Sequence, residues 1–147
     1  MRSRTCAVLA ASLMALAGCA SVPMGDIKKD AELKTFSPKA DVALIYVYRN
    51  EFLLAAQRMY VEIDGRPLGQ TAVKTYLVAE VSPGRHIVTS VLFERADSLE
   101  IEAVAGKLYY VWQEVKLGWE YPRTRLHLVS EEEGRKGVLE CQLAEGQ

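Results

Sequence analysis

From Ala40 onward, apolar residues come in short runs of β-branched and aromatic side chains, separated at regular intervals by turn formers. This is the pattern of an all-β sandwich or barrel. The run Val42-Ala43-Leu44-Ile45-Tyr46-Val47-Tyr48 is apolar on both alternating faces and predicts a central strand covered on both sides. Met59, Val61 and Ile63 alternate with Tyr60, Glu62 and Asp64, giving one core face and one wetter face. Asp64-Gly65 then closes a hairpin, because Gly accepts the positive φ of a tight turn, and Pro67-Leu68-Gly69 starts the return strand. Leu77, Ala79 and Val81 alternate with Tyr76, Val78 and Glu80 up to Ser82-Pro83-Gly84. Pro presets the first turn position there and Gly supplies the second, predicting a type II turn. The next strand, His86 to Phe93, is expected to run back against the one before it. Leu99, Ile101 and Ala103 alternate with Glu100 and Glu102. Ala105-Gly106-Lys107 leads into a strand from Leu108 to Leu117 that holds Tyr109, Tyr110 and Trp112. Arg123 to Val129 completes the set, with Leu126 and Leu128 expected to face one way.

Two segments depart from this texture. Ser130 stands three residues before Glu133, a capping box, and Glu131, Glu132 and Glu133 complement the dipole of a helix starting there. A C-terminal helix from Glu131 to Leu143 is predicted, with Val138 and Cys141 on its buried stripe. Gly134 and Gly137 each weaken it by about 1 kcal/mol relative to alanine, and a strand through Leu139, Cys141 and Leu143 is the competing reading. At the other end, residues 20–39 are polar, carry Pro23 and Pro38, and show no sustained apolar period. They read as a flexible tether with an r.m.s. reach on the order of 25 Å. The expected fold is a single small antiparallel β-sandwich of about seven or eight short strands with a short C-terminal helix. It occupies residues 40–145, behind a signal segment (1–18) and a tether (19–39).

The N-terminus has a cationic start at Arg2 and Arg4, an apolar stretch from Ala7 to Leu16, and the tetrad Leu16-Ala17-Gly18-Cys19, the pattern of a secretory signal. Its apolar block is about half the roughly 20 residues that span a hydrocarbon core. The tetrad resembles the lipobox of bacterial lipoproteins. That resemblance implies a diacylglycerol thioether on Cys19, cleavage between Gly18 and Cys19, and acylation of the new amine. The plainer reading is an ordinary cleaved signal with an incidental cysteine. Thioether formation needs a thiolate nucleophile, and each buried lipid CH₂ contributes about 0.8 kcal/mol to membrane binding. Ala20-Ser21 after the cysteine, where an Asp would imply inner-membrane retention, resembles the outer-membrane default. The expected address is the periplasmic face of the outer membrane, the inner membrane being the alternative.

Removing the signal takes Arg2 and Arg4 from the 18 basic residues and leaves 16 against 19 acidic ones, a net charge of −3. With no basic clustering, no nucleic-acid partner is expected. Cys6 leaves with the signal and Cys19 is consumed by lipid, so Cys141 stands alone in an oxidising compartment and no intrachain disulfide can form. It is either a buried, inert thiol or the site of an intermolecular disulfide.

The order of the β punctuation is itself a signature. Leu44-Ile45-Tyr46-Val47-Tyr48-Arg49, Tyr60-Val61-Glu62-Ile63-Asp64-Gly65 with Leu68-Gly69, Val81-Ser82-Pro83-Gly84-Arg85-His86, Ala105-Gly106-Lys107-Leu108-Tyr109-Tyr110-Val111 and Glu131-Glu132-Glu133-Gly134 resemble small bacterial lipoproteins carrying domain of unknown function 2846. The likeness covers residues 40–144. The Asp-Gly and Pro-Gly-x-His turns also resemble the PEGA surface-protein domain, a β-sandwich module. The resemblance implies an architecture and an address, and carries no functional residues. Backbone geometry alone accounts for Asp64-Gly65 and Pro83-Gly84.

Candidate chemistry is sparse. His86 and His127 fall on different strands outside any ligand motif, so no metal is expected. Nor is there a nucleophile motif beside a base, and Glu100 with Glu102 reads as a solvated edge. No cofactor is expected beyond the covalent diacylglycerol and N-acyl lipid on Cys19. Tyr48, Tyr60, Tyr76, Tyr110, Trp112, Trp119 and Tyr121 are either strand-forming core residues or a recognition platform. The stretch Gly118 to Arg123 places Trp119, Tyr121 and Arg123 in a loop, where binding residues concentrate. The expectation is a non-enzymatic module, anchored by lipid, that binds a periplasmic protein or peptidoglycan. The alternative is a small-ligand carrier or hydrolase using the loop around Trp119.

Overall fold

The computed structural model describes residues 21–147. Cys19 and the preceding Leu16, Ala17 and Gly18 lie outside the described residues. The elements are α1 (Ile27–Leu33), β1 (Ala43–Arg49), β2 (Met59–Ile63), β3 (Arg66–Thr71), β4 (Thr75–Val81), β5 (Gly84–Leu92), β6 (Arg95–Ala103), β7 (Leu108–Lys116), β8 (Arg123–Val129), α2 (Glu131–Leu139) and β9 (Gln142–Leu143). They build a β-sandwich with a short C-terminal helix, as expected. One sheet has the order β8-β7-β1-β4-β9 and the other β3-β2-β5-β6.

All seven residues of β1 are buried, as its two-faced apolar pattern requires. It pairs antiparallel with β4 and parallel with β7. β9 also runs parallel to β4, so this sheet is mixed rather than antiparallel throughout. Asp64 and Gly65 take φ of 53° and 75°, the positive values of a type I′ hairpin turn between β2 and β3. The corner at Ser82-Pro83-Gly84 departs from expectation. The chain crosses there from one sheet to the other, and β5 pairs with β2 and β6 instead of running back on β4. Local turn chemistry dictates that the chain turns, with Gly84 at φ 128°. It does not dictate which sheet receives the next strand.

Ile45, Val47, Val61, Leu77, Val88, Ile101, Val111 and Leu126 fill the space between the sheets. Leu128 lies on the same side of β8 as Leu126, opposite Val111, but is half exposed. A relay of polar side chains crosses the same interior. Thr71 donates to Gln113, whose amide donates to Ser90 Oγ at 2.6 Å, and Ser90 meets Thr124 at 2.7 Å. All four are buried, and each finds a partner, as buried polar groups must.

A second core lies outside the five-stranded sheet. Leu44, Tyr46, Tyr48, Tyr76 and Tyr110 pack there with Phe36, Val138, Cys141 and Leu143. Tyr46 stacks on Tyr110 with centroids 5.2 Å apart. Ser130 caps α2 by accepting from the Glu133 N–H at 3.3 Å. The helix stops at Leu139, and Gln142–Leu143 then pairs with β4, so each of the two readings of this segment holds for part of it. Gly134 and Gly137 face the tyrosines: a Cβ at either would sit 2.1 Å from Tyr110 Cγ or Tyr48 Cε2. The glycines that weaken the helix are what lets it lie on the rings. Cys141 is 2% exposed, and burial pushes its thiol up to about 12, the condition of an inert side chain.

The tether expectation is corrected between Ser21 and Lys39. Asp26 caps α1 by accepting from the N–H groups of Lys28 and Lys29. Val22 and Phe36, on either side of α1, are buried in the two cores. Gly25 N–H donates to the Leu143 carbonyl and Glu145 N–H to that of Pro23, so this stretch adds to the edge formed by β9. A seven-residue helix cannot stand alone in water. Its support comes from contacts spaced too far apart to leave an apolar period in the sequence.

Gly137→Ala tests the seating of α2. The substitution improves helix propensity by about 1 kcal/mol but forces a methyl into Tyr48, and overpacking of this kind costs about 1–3 kcal/mol. We expect a lower urea midpoint; an unchanged or higher one would show that α2 has room to move.

Candidate functional site

The loops at one end of the sandwich carry a rim of exposed apolar side chains. Register pairs Arg49 with Thr75, Met59 with Thr71 and Lys116 with Arg123, and β1 runs parallel to β7. The β1–β2, β3–β4, β5–β6 and β7–β8 connections therefore all emerge at the same end.

Within the β7–β8 loop, Trp119 is 103% exposed, Leu117 and Tyr121 are more than half exposed, and Arg123 stands exposed at the start of β8. The Arg95 guanidinium lies over the Tyr121 ring at 5.4 Å, which joins this loop to the β5–β6 hairpin. That hairpin turns at Phe93 and Glu94, both at positive φ, and Phe93 is 49% exposed. The β1–β2 loop adds Phe52, 69% exposed, with Lys74 Nζ 5.4 Å above its ring. Below the rim, Met59, Leu92 and Val115 form a small buried cluster with Leu54 against it.

The β1–β2 loop is held from inside by a buried cation. Arg49 is fully buried and donates to the carbonyls of Gln57 (2.7 Å), Leu53 (2.7 Å) and Leu54 (3.0 Å). Burial lowers its pKa, and Glu51 nearby opposes that. Glu51 itself accepts from the Val115 N–H and fastens the loop to β7. Three carbonyl dipoles thus replace water at the two terminal nitrogens, while Nε is buried without a partner.

At the opposite end, His86 Nδ1 faces Asp64 Oδ2 and Nε2 faces the Ser82 carbonyl, both at 2.7 Å. Two acceptors on two ring nitrogens suit the doubly protonated imidazolium. The hydrogen bond to Asp64 raises the pKa of His86, and the same bond lowers that of Asp64. Asp64 also accepts from the Ile87 N–H at 2.8 Å, so one carboxylate joins the β2–β3 hairpin to β5.

The structure brings Trp119, Tyr121 and Arg123 into one loop, as the sequence placed them, but it disperses the wider aromatic set. Tyr48, Tyr76 and Tyr110 are core residues, and Tyr60 is exposed on the other sheet. His127 does not approach Trp119. Its ring stacks on Trp112 at 5.1 Å and Nε2 meets Glu114 at 2.7 Å, on β7–β8 pairs four residues below the loop, roughly 13 Å away. Sequence reasoning missed Phe52, Phe93 and Arg49. The first two carried a readable signal, a large apolar residue at a strand junction, whereas Arg49 reads as the polar end of β1. Glu100 and Glu102 are exposed on β6, an edge strand of its sheet. Among the described residues, no group of three or more His, Cys, Asp or Glu is placed to hold a metal. No described helix is long and apolar enough to cross a membrane.

The family model described as "Protein of unknown function (DUF2846)" matches residues 39–124. An uncharacterized protein of Haemophilus influenzae is 32% identical over 131 residues, covering 88% of this chain and 77% of that protein. No solved structure matches the chain at a significant level.

Two predictions follow from the ends of the sandwich. Arg49→Met leaves the part-buried carbonyls of Leu53, Leu54 and Gln57 without their donor, and at about 1 kcal/mol or more for each unsatisfied group the loss should reach about 3 kcal/mol. Hydrogen exchange should rise across residues 50–58; a loss under about 1 kcal/mol would mean that the loop holds itself. The His86 contribution is complete below 6.5, its unfolded value, and is lost as pH rises through its raised folded pKa. Asp64 works the other way, contributing above 3.8 and losing it as pH falls through its lowered folded pKa. Stability should therefore decline as pH rises from about 6.5 through the raised folded pKa of His86, and His86→Gln should flatten that decline. Urea midpoints that fall equally in both proteins would refute the assignment.

Proposed function

The chain belongs to the DUF2846 family, and on that premise we propose that it is a lipid-anchored, non-enzymatic protein of the cell envelope. One observation carries the reading: Leu16-Ala17-Gly18-Cys19 follows a cationic start and an apolar block too short to span a bilayer. Lipid on Cys19 supplies the anchor, and two or more acyl chains make such anchoring stable. The sandwich is then displayed on the periplasmic face of the outer membrane to an envelope partner, either a protein or peptidoglycan.

Three features of the structure support a non-enzymatic reading. The rim residues stand in solvent instead of converging on a cleft, with Trp119 fully exposed. The Cys141 thiol is buried under α2 and held far above the range of a nucleophile. Both histidines are engaged, His86 by Asp64 and Ser82, His127 by Glu114 and Trp112.

Cys19→Ala should abolish incorporation of labelled palmitate and leave the uncleaved precursor. Normal labelling in that variant would overturn the anchor. The partner is tested separately by crosslinking in intact cells and by sedimentation with isolated cell wall; recovery of neither a protein nor wall-bound material would sink the display role.

A further inference from the structure

The rim and Ser21 lie at the same end of the sandwich. Ser21, the first described residue, lines a cleft with Val22, Ala72, Val73, Lys74 and Thr75. This is the β3–β4 turn. Thr75 pairs with Arg49, which holds the loop that carries Phe52, and Lys74 lies over the Phe52 ring. Val22 is already buried in the core, so the packed domain begins within one residue of Ser21. Cys19 stands two residues earlier, and an extended chain covers on the order of 7 Å over that interval.

We propose that this rim rests on the bilayer to which Cys19 is anchored, with Phe52, Phe93, Trp119 and Tyr121 in the headgroup region. The inference rests on the lipid-anchor reading above and deepens it by giving the domain an orientation. The occupant follows from distance: a lipid on Cys19 brings headgroups within on the order of 7 Å of Ser21, which lines the cleft at the β3–β4 turn. The chemistry agrees, because Trp and Tyr concentrate where a membrane meets water, with rings among the headgroups and polar atoms wet.

Lys74, Arg95, Lys116 and Arg123 flank the apolar residues, but Glu94 and Glu120 share the rim. The contact is therefore apolar and interfacial rather than driven by net positive charge. Arg49 and Glu51 fix the β1–β2 loop before any surface is met, so little ordering remains to be done on contact. With the rim on lipid, the opposite end, with the Asp64-Gly65 hairpin and the His86 corner, faces away from the membrane and is free to meet a partner.

The test uses the mature lipidated protein reconstituted into protein-free phosphatidylethanolamine–phosphatidylglycerol vesicles. The chain has two tryptophans, so Trp112→Phe leaves Trp119 as the reporter. Lipids brominated near the headgroup should quench Trp119 more strongly than lipids brominated deep in the chain, and aqueous iodide should quench it weakly. Trp119→Phe, which leaves Trp112, should show little bromolipid quenching. Strong iodide quenching with none from bromolipid, in vesicles that carry the palmitate label and float with the protein, would overturn the orientation while leaving the anchor intact. Shielding of Trp119 only after envelope proteins are added would also overturn it, in favour of a protein partner on the rim. Absence of both label and flotation would instead remove the anchor, and the orientation with it.

Discussion

The carboxylate of Asp30 joins the beginning of the domain to its end. Oδ1 accepts from the Tyr76 hydroxyl and from the Leu143 N–H, both at 2.9 Å, and Oδ2 accepts from Lys34 Nζ at 2.8 Å. Lys34 donates onward to the Cys141 carbonyl. Burial alone would raise the Asp30 pKa, but bonds from Lys34, Tyr76 and Leu143 outweigh it and hold it below its ordinary value. The ionised form therefore holds the node, and α1, β4 and β9 meet on it. A helix of seven residues with no buried side chain of its own has little else to keep it in place.

The covering of the tyrosine face follows from this joint. Tyr46, Tyr76 and Tyr110 lie in a row across the central strands, and α1 and α2 divide the row between them. The α1 side is polar and specific: Tyr46 donates to the Leu33 carbonyl at 2.9 Å and Tyr76 to Asp30. On the α2 side, contact is steric, with two glycines laid flat on Tyr110 and Tyr48. Each hydroxyl on the α1 side finds a partner because the helix supplies one, so docking and satisfaction of buried polar groups are a single event.

What could be read from the sequence divides along a physical line. Period-two alternation placed β2, β4 and β6, because a half-buried strand imposes it on its own residues, and a run apolar on both faces placed the fully buried β1. The Asp64-Gly65 turn was legible for a similar reason, its backbone angles being a local demand. Parallel pairing of β1 with β7 and the sheet change at Pro83-Gly84 were not legible. They are set by which partner offers the better face, and nothing within ten residues encodes that. The docked N-terminal segment stayed hidden because Val22, Leu33 and Phe36 are spaced too irregularly to form a period. Gly134 and Gly137 could be seen but not interpreted, since their meaning lies in rings on other strands. The rim was half legible: Trp119 and Tyr121 fall in a Gly- and Pro-bounded loop, whereas Phe52 and Phe93 join them only through the strand register.

Docking of residues 21–36 also changes what the proposed anchor would do. A free tether from Cys19 to Lys39 would let the sandwich tumble at a reach on the order of 25 Å, and the end carrying the aromatics would have no consequence. With Val22 buried and α1 held by Asp30, only Ala20 and Ser21 stand between Cys19, the proposed lipidation position, and packed protein. A short link makes orientation a property of the fold, because only the end beside Ser21 can approach the headgroups closely. Were Val22 and the strand-like pairing of Pro23 and Gly25 loosened, the link would lengthen and the proposed seating of the rim would lose its geometric basis.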